Sequence, residues 1–315
     1  MEVKMLLVEI KELQKRYDNL IAVDNLNIEI EKGEIYGLVG PNGSGKTSTI
    51  NSMLSIINYD RGKIKIFGEE MSSESDKVKK KIGYVPQEIS VFKDLNVYEN
   101  IDFFCGLYIS DKKVRKKYVN EAIEFVGLEN YKKFIPKKLS GGLLRRLNLA
   151  CGIAHKPELI IFDEPTVAVD PQSRNFILEG IKKMNEEGAT ILYTSHYMEE
   201  VEMLCKKISI MDKGKILITG SKDELKKAVG LSDMLIIKNI SVSKDDIENI
   251  RKIDGVLNIS LEGEELIIAI SKSITVSHCL TYLENSGIFF SNIEVKSPNL
   301  NDVFLEITGK KLRDI

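Results

Sequence analysis

Gly40-Pro41-Asn42-Gly43-Ser44-Gly45-Lys46-Thr47 has the spacing G-x-x-x-x-G-K-S/T. Glycines in such a loop let successive backbone N–H groups curl around phosphate oxygens. Lys46 would neutralise charge on the β- and γ-phosphates, and the Thr47 hydroxyl would reach a Mg2+ ion beside them. A second cluster, Asp163-Glu164, ends the apolar run Leu159-Ile160-Ile161-Phe162. Two acids at the carboxyl end of a buried strand face the ligand crevice of an open α/β sheet. There Asp163 would support the Mg2+, directly or through a water, and Glu164 would polarise an attacking water as general base. The combination points to binding of a nucleoside triphosphate, without saying what its hydrolysis would serve.

These residues need a scaffold. A phosphate loop must leave a strand and enter a helix, whose N-terminus adds its positive dipole end. Ile35–Val39 and Thr47–Ser55 supply the two patterns. Strands are also expected at Val3–Leu13, Leu26–Ile30 and Lys63–Phe67, with close turns at Asp18-Asn19 and Lys32-Gly33, which predicts an antiparallel β patch. Ile160–Asp163 and Thr190–Thr194 are short and apolar and alternate with helical stretches such as Lys112–Phe125. That alternation predicts an α/β core with a mostly parallel sheet covered on both faces.

The pattern changes after the strand Lys215–Thr219 and the helix Lys222–Val229, which stops at Gly230. A strand at Met234–Lys238, a helix at Lys244–Lys252 and strands at Val256–Leu261 and Glu265–Ile270 follow. A helix at Thr275–Asn285 and a strand at Ser291–Lys296 complete the order βαββαβ, which is ferredoxin-like. A last helix, Asn301–Ile307, would be capped by Asn301 at its start and Gly309 at its end. The expected domains are 1–221, a nucleotide-binding domain with a helical subdomain at about 88–155, and 222–315, a small α+β domain.

Composition narrows the partners. Lys plus Arg is 45 and Asp plus Glu is 47, a net charge of -2, so no nucleic acid is expected among them. No run approaches the ~20 apolar residues of a membrane span, and the charged N-terminal stretch has no leader-like apolar core. Work at a membrane would therefore need a partner. Cys105, Cys151, Cys205 and Cys279 are scattered without a C-x-x-C pair and read as free thiols of a reducing cytosol. His155 and His278 stand outside any motif and read as structural.

Leu139-Ser140-Gly141-Gly142 lies between the loop and the acid pair, and with it the chain resembles the ATP-binding cassette (ABC) ATPases, whose signature is LSGG. The other family motifs follow in order. Tyr17 matches an aromatic that stacks on adenine, and Gln87 in Tyr84-Val85-Pro86-Gln87 matches the Q-loop glutamine. Asp170 after Ala168-Val169 matches the D-loop aspartate, and His196 after Thr194-Ser195 matches the switch histidine. The resemblance covers roughly residues 3–221. It implies a catalytic set of Glu164, His196 and Gln87, and a metal set of Thr47, Gln87 and Asp163 for Mg2+. It implies an ATP site made of Tyr17, the whole Gly40–Thr47 loop, Thr49, Ser140, Gly141, Gly142 and Asp170. Two departures are visible: Leu143 stands where the family often has Gln, and Val167 where its D-loop often has Ser.

The resemblance also implies partners. ATP would be sandwiched between two cassettes, the small residues Ser140–Gly142 of one serving the phosphate loop of the other. A transmembrane permease subunit would hold the chain on the cytoplasmic face of the cell membrane, docking between the Q-loop and the next helix. Candidates there are Ile89, Val91, Phe92, Leu95 and Phe104, with Val97 and Phe103 read instead as ordinary core. Leu143-Leu144-Arg145-Arg146 and the ending Pro298-Asn299-Leu300-Asn301-Asp302-Val303-Phe304-Leu305-Glu306-Ile307-Thr308-Gly309 resemble drug and antibiotic exporter ATPases. An alternative within the superfamily is a soluble ATPase acting as a non-transport regulatory factor or as a translation or repair factor. Translation and repair factors resemble two fused cassettes, or one split by a long coiled coil; here there is one phosphate loop, and the segment from Lys46 to Asp163 is too short for a coiled coil.

Overall fold

The computed structural model describes residues 5–271, 274–290 and 292–309. Val3 and Ser291, the expected first residues of two strands, lie outside the described residues, as does the end of the chain after Gly309. One compact unit runs through Lys222 and a second begins at Asp223.

The first unit opens with a long hairpin, β1 (Leu6–Tyr17) and β2 (Leu20–Glu31), followed by β3 (Ile35–Val39) and the loop helix α1 (Lys46–Met53). Then come β4 (Arg61–Ile66), β5 (Glu69–Glu70), α2 (Asp76–Lys79) and β6 (Ile82–Val85). Three helices follow, α3 (Val97–Gly106), α4 (Lys112–Phe125) and α5 (Gly141–Ile153). The chain returns through β7 (Leu159–Asp163), α6 (Pro171–Glu186), β8 (Thr190–Ser195), α7 (Met198–Leu204), β9 (Lys207–Asp212) and β10 (Lys215–Gly220).

Two sheets result. β2-β1-β4-β5 is antiparallel throughout. β10-β9-β3-β8-β7-β6 is parallel except for β10 at its edge. Every residue of β3, β7 and β8 is buried, as a sheet covered on both faces requires. β3 lies between β8 and β9, so the loop that leaves it opens at the carboxyl ends of parallel strands. Helix α1 is held in the core between the sheets. Its Ile50 and Met53 share a cluster with Ile10, Leu26 and Ile64 of the antiparallel sheet and Leu38, Ile161 and Leu192 of the parallel one. Burial of each such side chain stabilises by ~1.5–3 kcal/mol, which fixes the helix that carries the phosphate loop.

Helix α3 corrects one expectation. Val97, Ile101 and Cys105, spaced four apart, are fully buried, but Phe103 lies off that stripe and is 45% exposed. It packs edge-on against Phe92 and Phe104 rather than in the core.

The second unit begins with α8 (Lys222–Ala228) at the boundary and continues β11 (Asp233–Lys238), α9 (Lys244–Arg251), β12 (Val256–Glu262) and β13 (Glu265–Ile270). It ends with α10 (Ile274–Asn285), β14 (Asn292–Lys296) and α11 (Leu300–Thr308). The antiparallel sheet β12-β13-β11-β14 buries Leu235, Ile237, Leu266 and Ile268 with Ile250 of α9 and with Cys279 and Leu283 of α10. The last helix starts earlier than expected, and Asn299, not Asn301, caps it. The Asn299 side chain accepts from Asp302 N at 3.1 Å, and the Asp302 carboxylate accepts from Asn299 N at 2.8 Å. This reciprocal box outcompetes Asn301, which lies inside the first turn. Gly309, at φ 66°, closes the helix.

All four cysteines are free and buried. Burial pushes the Cys105 and Cys279 thiols up to about 11 and raises Cys151 and Cys205 further. Among the described residues, no helix is long and apolar enough to cross a membrane.

Candidate functional site

The phosphate loop leaves β3 and folds tightly. Gly45 has φ +110°, and a Cβ there would lie 2.3 Å from the Ala22 carbonyl oxygen. Only glycine fits this conformation and this approach. The Lys46 ammonium turns back over its own loop. It donates to the carbonyls of Gly40 at 2.8 Å and Pro41 at 3.0 Å and pairs with Glu164 Oε1 at 3.0 Å. An ammonium has three protons, and all three are engaged. Ser44 Oγ is buried and lacks a hydrogen-bond partner among the described residues, so the loop holds an unspent hydroxyl. The Thr47 hydroxyl donates to Asp163 Oδ2 at 3.0 Å. Asn42 and Gly43 are exposed at the loop's tip. Thr49 is placed differently: it is fully buried, and its hydroxyl donates to the Gly45 carbonyl at 2.9 Å, supporting the loop from behind.

Asp163 and Glu164 both sit at the carboxyl end of β7, held by Thr194 of the neighbouring β8. The Thr194 hydroxyl donates to Asp163 Oδ1 at 2.8 Å and accepts from Glu164 N at 3.1 Å. Burial raises the Asp163 carboxyl above its ordinary value, and the Thr194 and Thr47 hydroxyls oppose that. Glu164 takes φ 48°, a left-handed backbone that costs a non-glycine residue on the order of 1–3 kcal/mol. The kink turns its carboxylate between two partners. Oε1 faces Lys46, and Oε2 is 2.8 Å from His196 Nδ1. Five residues predicted from sequence thus form two contact groups, Lys46–Glu164–His196 and Thr47–Asp163, bridged by the Thr194 hydroxyl.

Of the remaining predicted residues, Gln87 is linked to Glu164 through Arg145, and the others hold places of their own. Gln87 is exposed, and its carbonyl accepts from Arg145 Nη1 at 2.6 Å. Ser140 caps α5 through Leu143 N. Asp170 caps α6, accepting from Ser173 N at 2.9 Å, which holds its carboxyl below the usual range. Gly142 abuts this cap, since a Cβ on it would lie 2.3 Å from Ser173 Oγ and 2.9 Å from Asp170 Oδ2. No hydrogen bond among the described residues joins Ser140–Gly142 to the phosphate loop of the same chain. Tyr17 ends β1 with its ring 43% exposed and Lys15 4.9 Å from the ring centre. It pairs with Leu20, at the start of the strand that passes Gly45 at Ala22.

Two residues carry this architecture without having been singled out for a role. Arg145 of α5, 3% exposed, donates to four backbone carbonyls: Pro86 at 3.2 Å, Gln87 at 2.6 Å, Glu164 at 2.5 Å and Pro165 at 2.6 Å. Burial lowers its guanidinium, with Asp163 and Glu164 acting the other way. Thr194 is the second. Its position directly before Ser195-His196 was the only available signal.

Comparison with known proteins bears on the same residues. A profile of the ABC transporter family matches residues 23–167, and one described as the C-terminal domain of DrrA1-3-like ATP-binding proteins matches residues 220–308. The chain is 38% identical over 311 residues to the linearmycin resistance ATP-binding protein LnrL of Bacillus subtilis strain 168, covering 98% of this chain and 100% of that one. It is 30% identical to the Nod factor export ATP-binding protein I of Cupriavidus pinatubonensis strain JMP 134, covering 98% and 92%. Among solved structures, a dimeric ATP-binding cassette in a post-hydrolysis state with ADP and Pi matches with TM-score 0.63 and 26% identity, covering 68% of this chain and 98% of that one. Its parallel sheet, phosphate loop and acid pair thus sit in a chain whose relatives match it from end to end: the protein belongs to the ABC transporter family, as an ATP-binding, ATP-hydrolysing subunit.

Proposed function

We propose that the chain powers an exporter, with Glu164 and His196 as the hydrolytic pair of its ATP site. One observation carries the reading: the Glu164 carboxylate is held between Lys46 and His196 while the Thr47–Asp163 pair stands beside it. Glu164, accepting from His196, is placed to take a proton from water aimed at the γ-phosphate. Lys46 and the loop N–H groups bind the phosphates. The donor set suits Mg2+, which takes one or two protein oxygens and leaves its other positions to phosphates and water. Thr47 and Asp163 would hold the ion, and it would supply charge neutralisation between phosphates. Gln87, with its backbone tied to Glu164 through Arg145, would sense that site rather than build it.

The adenine would stack on Tyr17, whose exposed ring suits it. Since Ser140–Gly142 make no hydrogen bond to the loop of their own chain among the described residues, they would be free to close on the loop of a second cassette when ATP is bound. The permease partner would take the exposed rings of Phe92 and Phe103, which pack on the half-buried Phe104, together with the exposed Ile89. Apolar side chains open to solvent at this density suit a protein contact. The chain would then work on the cytoplasmic face of the cell membrane. The names of the resistance and Nod factor relatives support export as the direction.

The test is Glu164→Gln. It should keep ATP binding, lose roughly 10²–10⁴-fold in turnover, and form an ATP-dependent dimer on size-exclusion chromatography. Turnover at the wild-type rate would refute Glu164 as base.

A further inference from the structure

Behind the hydrolytic pair lies a buried carboxylate that the proposed chemistry does not use. Glu200, on α7, is 2% exposed. Its Oε2 accepts from Tyr193 OH at 2.7 Å, Thr166 Oγ1 at 2.9 Å and Ser195 Oγ at 2.9 Å, and its Oε1 accepts from Arg174 Nε. The donors come from places that matter to the site. Thr166 follows Glu164 in the chain. Ser195 directly precedes His196. Arg174 sits in the first turn of the helix capped by Asp170.

The network reaches His196 from both sides. Because the Ser195 hydroxyl gives its proton to Glu200, its lone pairs are left to accept from Tyr197 N, at 2.9 Å. This pins the backbone just past His196. The Arg174 guanidinium lies 4.3 Å from the Tyr197 ring centre, and that ring lies 4.1 Å from the His196 ring. The imidazole is therefore backed by Tyr197, which is backed by Arg174, which is held by Glu200.

We infer that Glu200 is a positioning residue for hydrolysis, holding the segment after Glu164 and both flanks of His196 so that the two side chains stay in contact. The inference rests on the Glu164–His196 assignment proposed above. Removing the carboxylate would strand the Arg174, Tyr193, Thr166 and Ser195 donors and so cost stability as well, which is why kcat and its dependence on His196, not stability, separate positioning from support. What a carboxylate adds is that it only accepts. It draws four donors from three segments to one point and fixes which way each hydroxyl faces.

The experiment is steady-state ATP hydrolysis by the full chain carrying Glu200→Gln, His196→Ala, both together, Ser195→Ala or Thr166→Val. Glutamine keeps the shape but places an NH2 where donors converge. Glu200→Gln should lower kcat roughly 10- to 100-fold, the scale of a small misplacement, with KM for ATP within about twofold of wild type. In the His196→Ala background it should cause little further loss, because the residue it positions is gone. A wild-type kcat for Glu200→Gln, or the same fold-loss repeated without His196, overturns the proposal. If Glu200→Gln does not fold, Ser195→Ala and Thr166→Val decide: wild-type kcat in both overturns it. A wild-type rate in His196→Ala overturns the assignment and this proposal with it, whereas loss in His196→Ala beside an unchanged Glu200→Gln overturns the proposal alone.

Discussion

Lys46 and Glu164 form an ion pair at 3.0 Å, with each side chain only 4% exposed. With its other protons on the Gly40 and Pro41 carbonyls, Lys46 has to give up a partner before it can hold a phosphate. Glu164 thus competes with nucleotide for the same ammonium. Removing its charge should leave ATP affinity at least as high as in wild type, measured by equilibrium titration. Lys46→Ala should weaken ATP binding by more than about tenfold, since it removes a charge-assisted contact to phosphate. Weaker binding in Glu164→Gln would contradict the competition.

Arg145 should matter for stability as well as for rate. It is the shared donor of the Pro86, Gln87, Glu164 and Pro165 carbonyls, and these lose it together. Arg145→Met should cost about 1–3 kcal/mol in denaturant unfolding, because the buried Pro165 carbonyl loses its donor while Pro86 keeps Asn148 and Glu164 keeps Val167 N. Arg145→Lys should recover only part, because a point-like ammonium cannot span a planar fork's contacts. A stability loss below about 0.5 kcal/mol in the Met variant would show that the clamp is not needed.

His155 gives a pH dependence with a definite sign. Its Nε2 lies 3.1 Å from the Ile82 carbonyl, its Nδ1 is buried without a partner among the described residues, and its ring stacks on Tyr108 at 4.0 Å. Burial lowers its pKa, opposed by the Ile82 carbonyl. Below about pH 6.5 the unfolded chain takes up a proton that the folded chain still refuses, so stability falls as pH drops toward the lowered value. His155→Phe keeps the stack and removes the proton site. Between about pH 7.5 and 5.5 its melting temperature should fall less than that of wild type. Parallel curves would refute the assignment.

Phe92→Asp should separate export from hydrolysis. Phe92 is 47% exposed and packs against the rings of Phe103 and Phe104. The isolated protein should keep its melting temperature and its ATPase rate within about twofold, as exposed sites allow. Co-purification of a membrane subunit and transport in cells should be lost. Unchanged transport would place the permease contact elsewhere.

The centre of the site was legible because its chemistry needs fixed residue types at fixed chain spacing. Lys46-Thr47 is tied to a strand–loop–helix, Asp163-Glu164 to a strand end, and His196 to the end of the adjacent strand. The supports were not legible. Arg145 and Glu200 act through partners from distant segments, and nothing in a helix stretch such as Met198-Glu199-Glu200 marks which acid turns inward. Short apolar runs marked β3, β7 and β8, and the edge strand β10 was also expected, whereas β6 (Ile82–Val85) and β9 (Lys207–Asp212) of the same sheet were not. Local competition escaped the reading: Asn299 won the cap from Asn301 through its reciprocal bond with Asp302, and Phe103 left the core because its place on α3 lies off the buried stripe.

The enclosed cysteines leave the folded surface free of reactive sulfur. Thiol reagents attack accessible thiolate, and here all four sulfurs are buried with their pKa values raised. One cysteine introduced at an exposed position, such as Lys93→Cys beside the aromatic patch, would be the reporter site for a fluorophore or spin label, with the native cysteines left in place. The approach of two cassettes on ATP, and their separation after hydrolysis, can then be followed as a changing distance between labels.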